Sequence, residues 1–203
     1  MANSVVEVWN LALRRLGHTV VSSEDENSDE ASLLREVWPI NRDRFLENYD
    51  WPFARRYGLL TPINDDDELI DGWLYAYEEP QGDMLAFRGI VDPSFTGGEL
   101  MPFERCLRVG SDEMKILCDV EDATGVWTVR RTDVSRFPES FTLALSWACQ
   151  ADLVESIIRD DPKGVRVAQY LKAATDIAMV STSRSERQRK AAGGVPNSIA
   201  ARA

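Results

Sequence analysis

The chain has 203 residues, 44% of them apolar, with six tryptophans and a formal net charge of −11, which is enough for one domain or two small ones around a substantial core. No run approaches the roughly 20 apolar residues that a membrane helix needs, and the N-terminus lacks a basic flank leading into an apolar signal core, so neither insertion nor signal-directed export is expected. The charge is unevenly spread: residues 184–203 carry five bases and one acid, leaving 18 bases and 33 acids, net −15, on residues 1–183. An acidic body disfavours a DNA clamp, which relies on concentrated lysine and arginine, whereas the basic C-terminal segment can still meet nucleic acid or an acidic protein.

Ser4-Val5-Val6-Glu7 has the form of a capping box, in which the serine hydroxyl accepts from an early amide and the glutamate reaches back. A first helix therefore starts there, with Val5, Trp9, Ala12 and Leu16 at helical spacing, Arg14 and Arg15 near its C-terminal end and Gly17 as a left-handed cap. The polar run "SSEDENSDE" reads as a loop delivering Ser28 as the N-cap of a second helix, whose Ala31, Leu34, Trp38, Phe45 and Tyr49 keep helical register. Pro39 lies inside that register, and a kink or short break is expected near Trp38 because proline lacks an amide and clashes with the carbonyl four residues back.

Beyond "DWPFARR", the run "TPINDDDELIDG" combines turn formers with acids and reads as an exposed loop. The pattern then changes to short strands: an alternation around Trp73, Tyr75 and Tyr77, a turn at residues 80–83, an apolar run over 84–91, and further strands at 106–109, 115–118 and 126–131. Pro138 suits the first turn of a third helix whose Phe141, Leu145, Trp147, Leu153, Val154, Ile157 and Ile158 spread around several faces, as in a central core helix. Asp160-Asp161-Pro162 ends it and caps a fourth, with a small-residue stripe at Gly164, Ala168, Leu171, Thr175 and Ala178 that fades near Ser181. The fold expected is α+β: a helical bundle from residues 1–58 and 137–181, an inserted small antiparallel β module over 59–136, and an extended C-terminal tail over 182–203.

Chemistry-bearing patterns are scarce. Cys106, Cys118 and Cys149 are odd in number with no close pair, which fits buried thiols in a reducing compartment and gives neither a disulfide framework nor a zinc site. His18 follows a helix-ending glycine, as a capping or surface histidine does. Asp65, Asp66, Asp67 and Glu68 lack the alternating spacing and glycine of a calcium loop and read as solvated acids. Gly97-Gly98 and Gly193-Gly194 lack the lysine and threonine of a phosphate loop. Trp9, Trp38, Trp51, Trp73 and Trp147 sit in periodic or strand-like segments and read as core. Neither a catalytic residue, nor a metal, nor a cofactor is expected from these patterns.

Four stretches in order resemble the tail tubular protein A family, the head-to-tail adaptors of short-tailed bacteriophages: "VWNLALRRLG" at 8–17, "EASLLREVWPINRDRFLENYDWPFARR" at 30–56, "GWLYAYEEPQGDMLAFRGI" at 72–90 and "FPESFTLALSWACQADLVESI" at 137–157. Pro39 departs from the family's second helix, and the basic tail is a variable region. The resemblance implies a non-enzymatic virion protein, assembled in the host cytoplasm, that forms a dodecameric ring between the portal and the tail nozzle and lets genomic DNA through without sequence-specific binding. By that resemblance Arg184, Arg187, Arg189, Lys190 and Arg202, with Val195 and Ile199 as apolar anchors, are expected to bind the portal. The Asp65–Glu68 loop is expected to face the lumen or the nozzle, where acids repel phosphate and ease its passage. A tail-completion or stopper protein of another phage type is the alternative, and a nucleic-acid regulator the rival from another class.

Overall fold

A computed structural model of the chain describes the backbone of residues 4–64, 69, 72–92, 100–158 and 161–192, and side chains over the same spans apart from 157–164 and 184–192. Among the described residues it is a mixed α+β protein with four α-helices and two small antiparallel sheets. Its contacts divide it into a helical unit, residues 1–45 with 132–203, and a β unit, Leu46–Arg131.

In the helical unit, α1 (Val5–Leu16) begins where Ser4 accepts a hydrogen bond from the Glu7 amide at 3.2 Å and ends at Gly17, whose φ of 74° is the left-handed cap read from the sequence. It buries Val8, Trp9, Ala12 and Leu13, while Val5 and Leu16 stay at the edge of the core. The loop that follows is tied down by Asn10, whose side-chain amide donates to the Val21 carbonyl and accepts from the Val21 amide, both at 2.9 Å. Ser28 does cap α2 (Asp29–Asn48), accepting from the Ala31 amide at 3.3 Å. Of the kink or short break expected near Trp38, the break does not occur: α2 runs through Pro39, with the proline on an exposed face where water can satisfy the carbonyl it displaces.

Pro138 precedes α3 (Glu139–Leu153), which buries residues all round, including Phe141, Ala144, Leu145, Ala148 and Cys149, as a central helix must. Phe141 meets Phe45 and Phe137 edge-on, at 6.2 and 4.9 Å between centroids. A π-helical turn, Val154–Ile158, carries the chain on to α4 (Asp161–Ala192). The buried stripe of α4 is Val167, Ala174, Ala178 and Thr182, with Leu171 and Thr175 partly covered; Ala168, expected on that stripe, is exposed. The tail expected to be extended from residue 182 is helical up to Ala192. Its Arg, Glu, Gln, Lys and Ala are all strong helix formers.

The β unit holds β1 (Arg55–Leu59), β2 (Tyr75–Glu78), β3 (Met84–Val91), β4 (Glu104–Leu107), β5 (Met114–Cys118) and β6 (Thr124–Val129), ordered β1-β6-β3 in one sheet and β2-β5-β4 in the other. Leu60, Tyr77, Phe87, Ile90, Ile116, Trp127 and Val129 pack in one cluster. Gly58 and Gly125 face each other across β1 and β6. Both positions are too close to neighbours for a side chain: a Cβ on Gly125 would lie 2.6 Å from Leu60, and one on Gly58 2.6 Å from the tip of the Trp127 ring. Tyr77 is buried, donates to the Val120 carbonyl at 2.7 Å and accepts from the Ala123 amide, which locks the turn before β6.

Arg88 on β3 reaches the end of α2. Its guanidinium donates to the carbonyls of Leu46, Glu47 and Tyr49 at 3.0, 2.6 and 3.0 Å and to the Thr128 hydroxyl at 2.8 Å. The last turn of α2 has no basic residue of its own, so a cation from elsewhere in the chain satisfies its orphan carbonyls. Burial lowers the Arg88 pKa from its ordinary value, opposed by Asp50 and Glu47. Close by in sequence, Asp50 grips Arg55 through two contacts, of 2.7 and 2.9 Å.

Candidate functional site

The residues singled out from the sequence divide by where they fall. Arg184, Arg187, Arg189 and Lys190 are on the final turns of α4, with side chains outside the description. Val195, Ile199 and Arg202, like Asp65, Asp66, Asp67 and Glu68, lie outside the described residues. His18 is a surface tether: its Nδ1 lies 3.1 Å from Glu30 Oε1. The Glu30 carboxyl is held below the usual carboxylate range, first by its own backbone amide and then by His18. Among the described residues, no group of three histidine, cysteine or acidic side chains is arranged to hold a metal ion, and no helix is long and apolar enough to cross a membrane. Burial pushes the thiols of Cys149 and Cys118 up from their ordinary values, which leaves both poor nucleophiles.

Two of the tryptophans expected in the core are not there. Trp73 is half-buried ahead of β2 and donates from Nε1 to Glu104 at 3.0 Å. Trp147 is half-buried and forms one wall of a cleft of about 420 Å³ built from three helices: Arg15 and Leu16 at the end of α1, Trp147 and Gln150 on α3, Arg166, Val167 and Tyr170 on α4. Each helix reaches the cleft for a local reason. Arg15 is in the last turn of α1, where a cation suits the helix dipole. Trp147 and Gln150 are three apart on one face of α3, and Arg166 and Tyr170 four apart on one face of α4.

The cleft is pre-organised. The Arg15 guanidinium lies 4.1 Å from the centre of the Trp147 ring and donates from Nη1 to Ser146 Oγ at 2.9 Å, which fixes its direction. Tyr170 stacks on Trp147 at 5.0 Å between centroids and 19° between planes. Burial lowers the Arg15 pKa from its ordinary value, so the cation is partly stripped of water. Gln150, only 4% exposed, lines the cleft and has a buried Oε1 without a hydrogen-bond partner. Among the described residues, no acidic side chain lines it.

A second cleft, about 430 Å³, lies between α1 and α3 and carries Glu7, Arg14 and Glu139 with Leu11 and Leu143. The outer face of α4 adds an apolar stripe, with Tyr170, Ile177 and Val180 at 56%, 61% and 48% exposure and at helical spacing. Sequence reading placed Arg15 near a helix end and Trp147 in a core helix, but nothing local to either residue signals that α4 converts them into a cleft. No protein-family model matches the chain, and no curated protein matches it.

Proposed function

We propose that the chain is a structural virion protein, a head-to-tail adaptor whose copies form a ring, dodecameric by the resemblance, joining the portal to the tail nozzle around the DNA channel. The observation that carries this reading is the order of the four resembling stretches, which correspond to α1, to α2 with the Trp51 corner, to β2 with β3, and to α3. The exposed stripe of α4 and the clefts beside α1 and α3 support it, because a ring needs two different surfaces on each subunit to meet side to side. In this reading the four helices form the bundle of the ring wall and the β unit carries the nozzle-facing loops. The segment from the basic end of α4 onward, Arg184 to Arg202, docks on the portal. The acidic body, with residues 65–68 toward the lumen or nozzle, repels the passing phosphate backbone. No catalytic step belongs to this role.

The test is attachment. Purified full-length chain mixed with portal-bearing capsids is expected to form a ring at the portal vertex in negative-stain images, and chain lacking residues 184–203 is expected to fold but not attach. Attachment of the truncated chain would refute the portal role of the C-terminal segment, and failure of the full chain to attach would refute the adaptor reading.

A further inference from the structure

The cleft between α1, α3 and α4 is equipped for an anionic peptide. Arg15 and Arg166 both line it, and among the described residues neither forms an ion pair. Gln150 adds an amide whose oxygen lacks a donor, a need that a peptide N–H meets once the amide turns about its terminal torsion. Trp147 and Tyr170 supply an aromatic wall for the aliphatic part of an acidic side chain.

The same chain presents a matching segment. Residues 22–29, "SSEDENSD", bear exposed carboxylates on Glu24 and Asp25 that form no ion pair among the described residues. The segment is pinned by side-chain hydrogen bonds. Asn10 anchors Val21, the Glu26 carboxylate accepts from the Ser22 amide and hydroxyl at 2.6 and 2.7 Å, and Arg35 donates to the carbonyls of Glu24 and Glu26. A loop with its backbone so pinned loses little entropy on docking.

We infer that the Arg15–Arg166 cleft receives the Glu24–Asp25 loop of a second copy of this chain. The contact is heterologous, because the cleft of one copy meets a different surface, the loop, of the next, and so propagates from copy to copy until it closes. This deepens the ring assembly proposed above and rests on it.

The test reads self-association of the full chain by sedimentation velocity and native mass spectrometry, together with anisotropy of a labelled synthetic peptide of residues 20–30. Arg166→Glu changes an exposed side chain, so it spares the fold even if Arg15→Glu, which removes the Ser146 and Trp147 contacts, does not. Expected is peptide binding to the parent chain, a loss of about tenfold or more in peptide binding and in self-association for Arg166→Glu, and recovery of self-association when it is mixed with Glu24→Arg/Asp25→Arg chains. Absence of peptide binding to the parent chain overturns the inference, as does peptide binding with self-association indifferent to both charge reversals. Rings on portal-bearing capsids that tolerate Arg166→Glu would remove this contact and leave the adaptor reading standing; no attachment by any chain, with the charge swap still working, would do the reverse.

Discussion

Among the described residues, the β unit leaves no buried side-chain polar atom without a partner, whereas the helical unit leaves two, Trp9 Nε1 and Gln150 Oε1. The contrast extends to packing. In the β unit, Gly58 and Gly125 let strand backbones approach so closely that Trp127 and Leu60 fill the space where side chains would stand, and Tyr77 ties a turn to the core. The helical unit keeps open clefts on α1 and α3 and an apolar stripe on α4. Exposed apolar side chains do not separate the units, since Leu59, Leu74 and Val109 stand out from the β unit as well; the difference lies in the buried polar groups, and a unit that leaves such groups unspent is one whose free energy is completed by something else.

Substitutions in the two units are expected to differ in their effect on stability. Arg88→Met should have the largest effect, a loss of about 2–3 kcal/mol in urea unfolding, because it strands the end carbonyls of α2 and the buried Thr128 hydroxyl together. Gly125→Ala should cost about 2 kcal/mol by forcing Leu60 and Phe87 aside, and a neutral result would mean that the β core has slack after all. Tyr77→Phe should cost about 1 kcal/mol, since the ring still fills its site while the Val120 carbonyl loses its donor. Gln150→Leu should change the stability of the free chain by roughly 0 to 1 kcal/mol in the favourable direction, as it removes an acceptor that has no donor. A loss of 2 kcal/mol or more there would show that Gln150 is spent on the fold and would erase the difference between the units.

What the sequence made legible was mostly local. Ser4 and Gly17 bracket α1 because capping depends on a few adjacent residues, and the turn at Gly82, with φ of 93°, separates β2 from β3 as its Pro-Gln-Gly-Asp run announces. What escaped depends on distant partners. β1 reads "RRYGL", without the alternation of a half-buried strand, and is a strand because residues 124–128 of β6 pair with it. The middle third was read as one small β module, and its division into two sheets follows from β6 pairing with β1 and β3 while β5 pairs with β2 and β4. The small-residue stripe of α4 is right in part: Ala178 is buried and Leu171 and Thr175 are partly covered, but Val167 and Ala174 are buried where Ala168 is exposed, because which side of a stripe faces inward is set by the helix that α4 meets. The cleft was hidden for the same reason: Arg15 and Arg166 are 151 positions apart in the chain. The C-terminal helix to Ala192 was legible in propensity and was outweighed in the reading by the low apolar content of the segment.

On the proposed function, the helical unit is an assembly surface and the β core is not, and hydrogen–deuterium exchange of the full chain, free and bound to portal-bearing capsids, separates the two. The expected result is slowed exchange on assembly along α4 and at the helix ends around Arg15 and Trp147, with β5 and β6 unchanged because they are protected in both states. Unchanged exchange throughout α4 in the bound protein, or protection gained only in the β core, would contradict it.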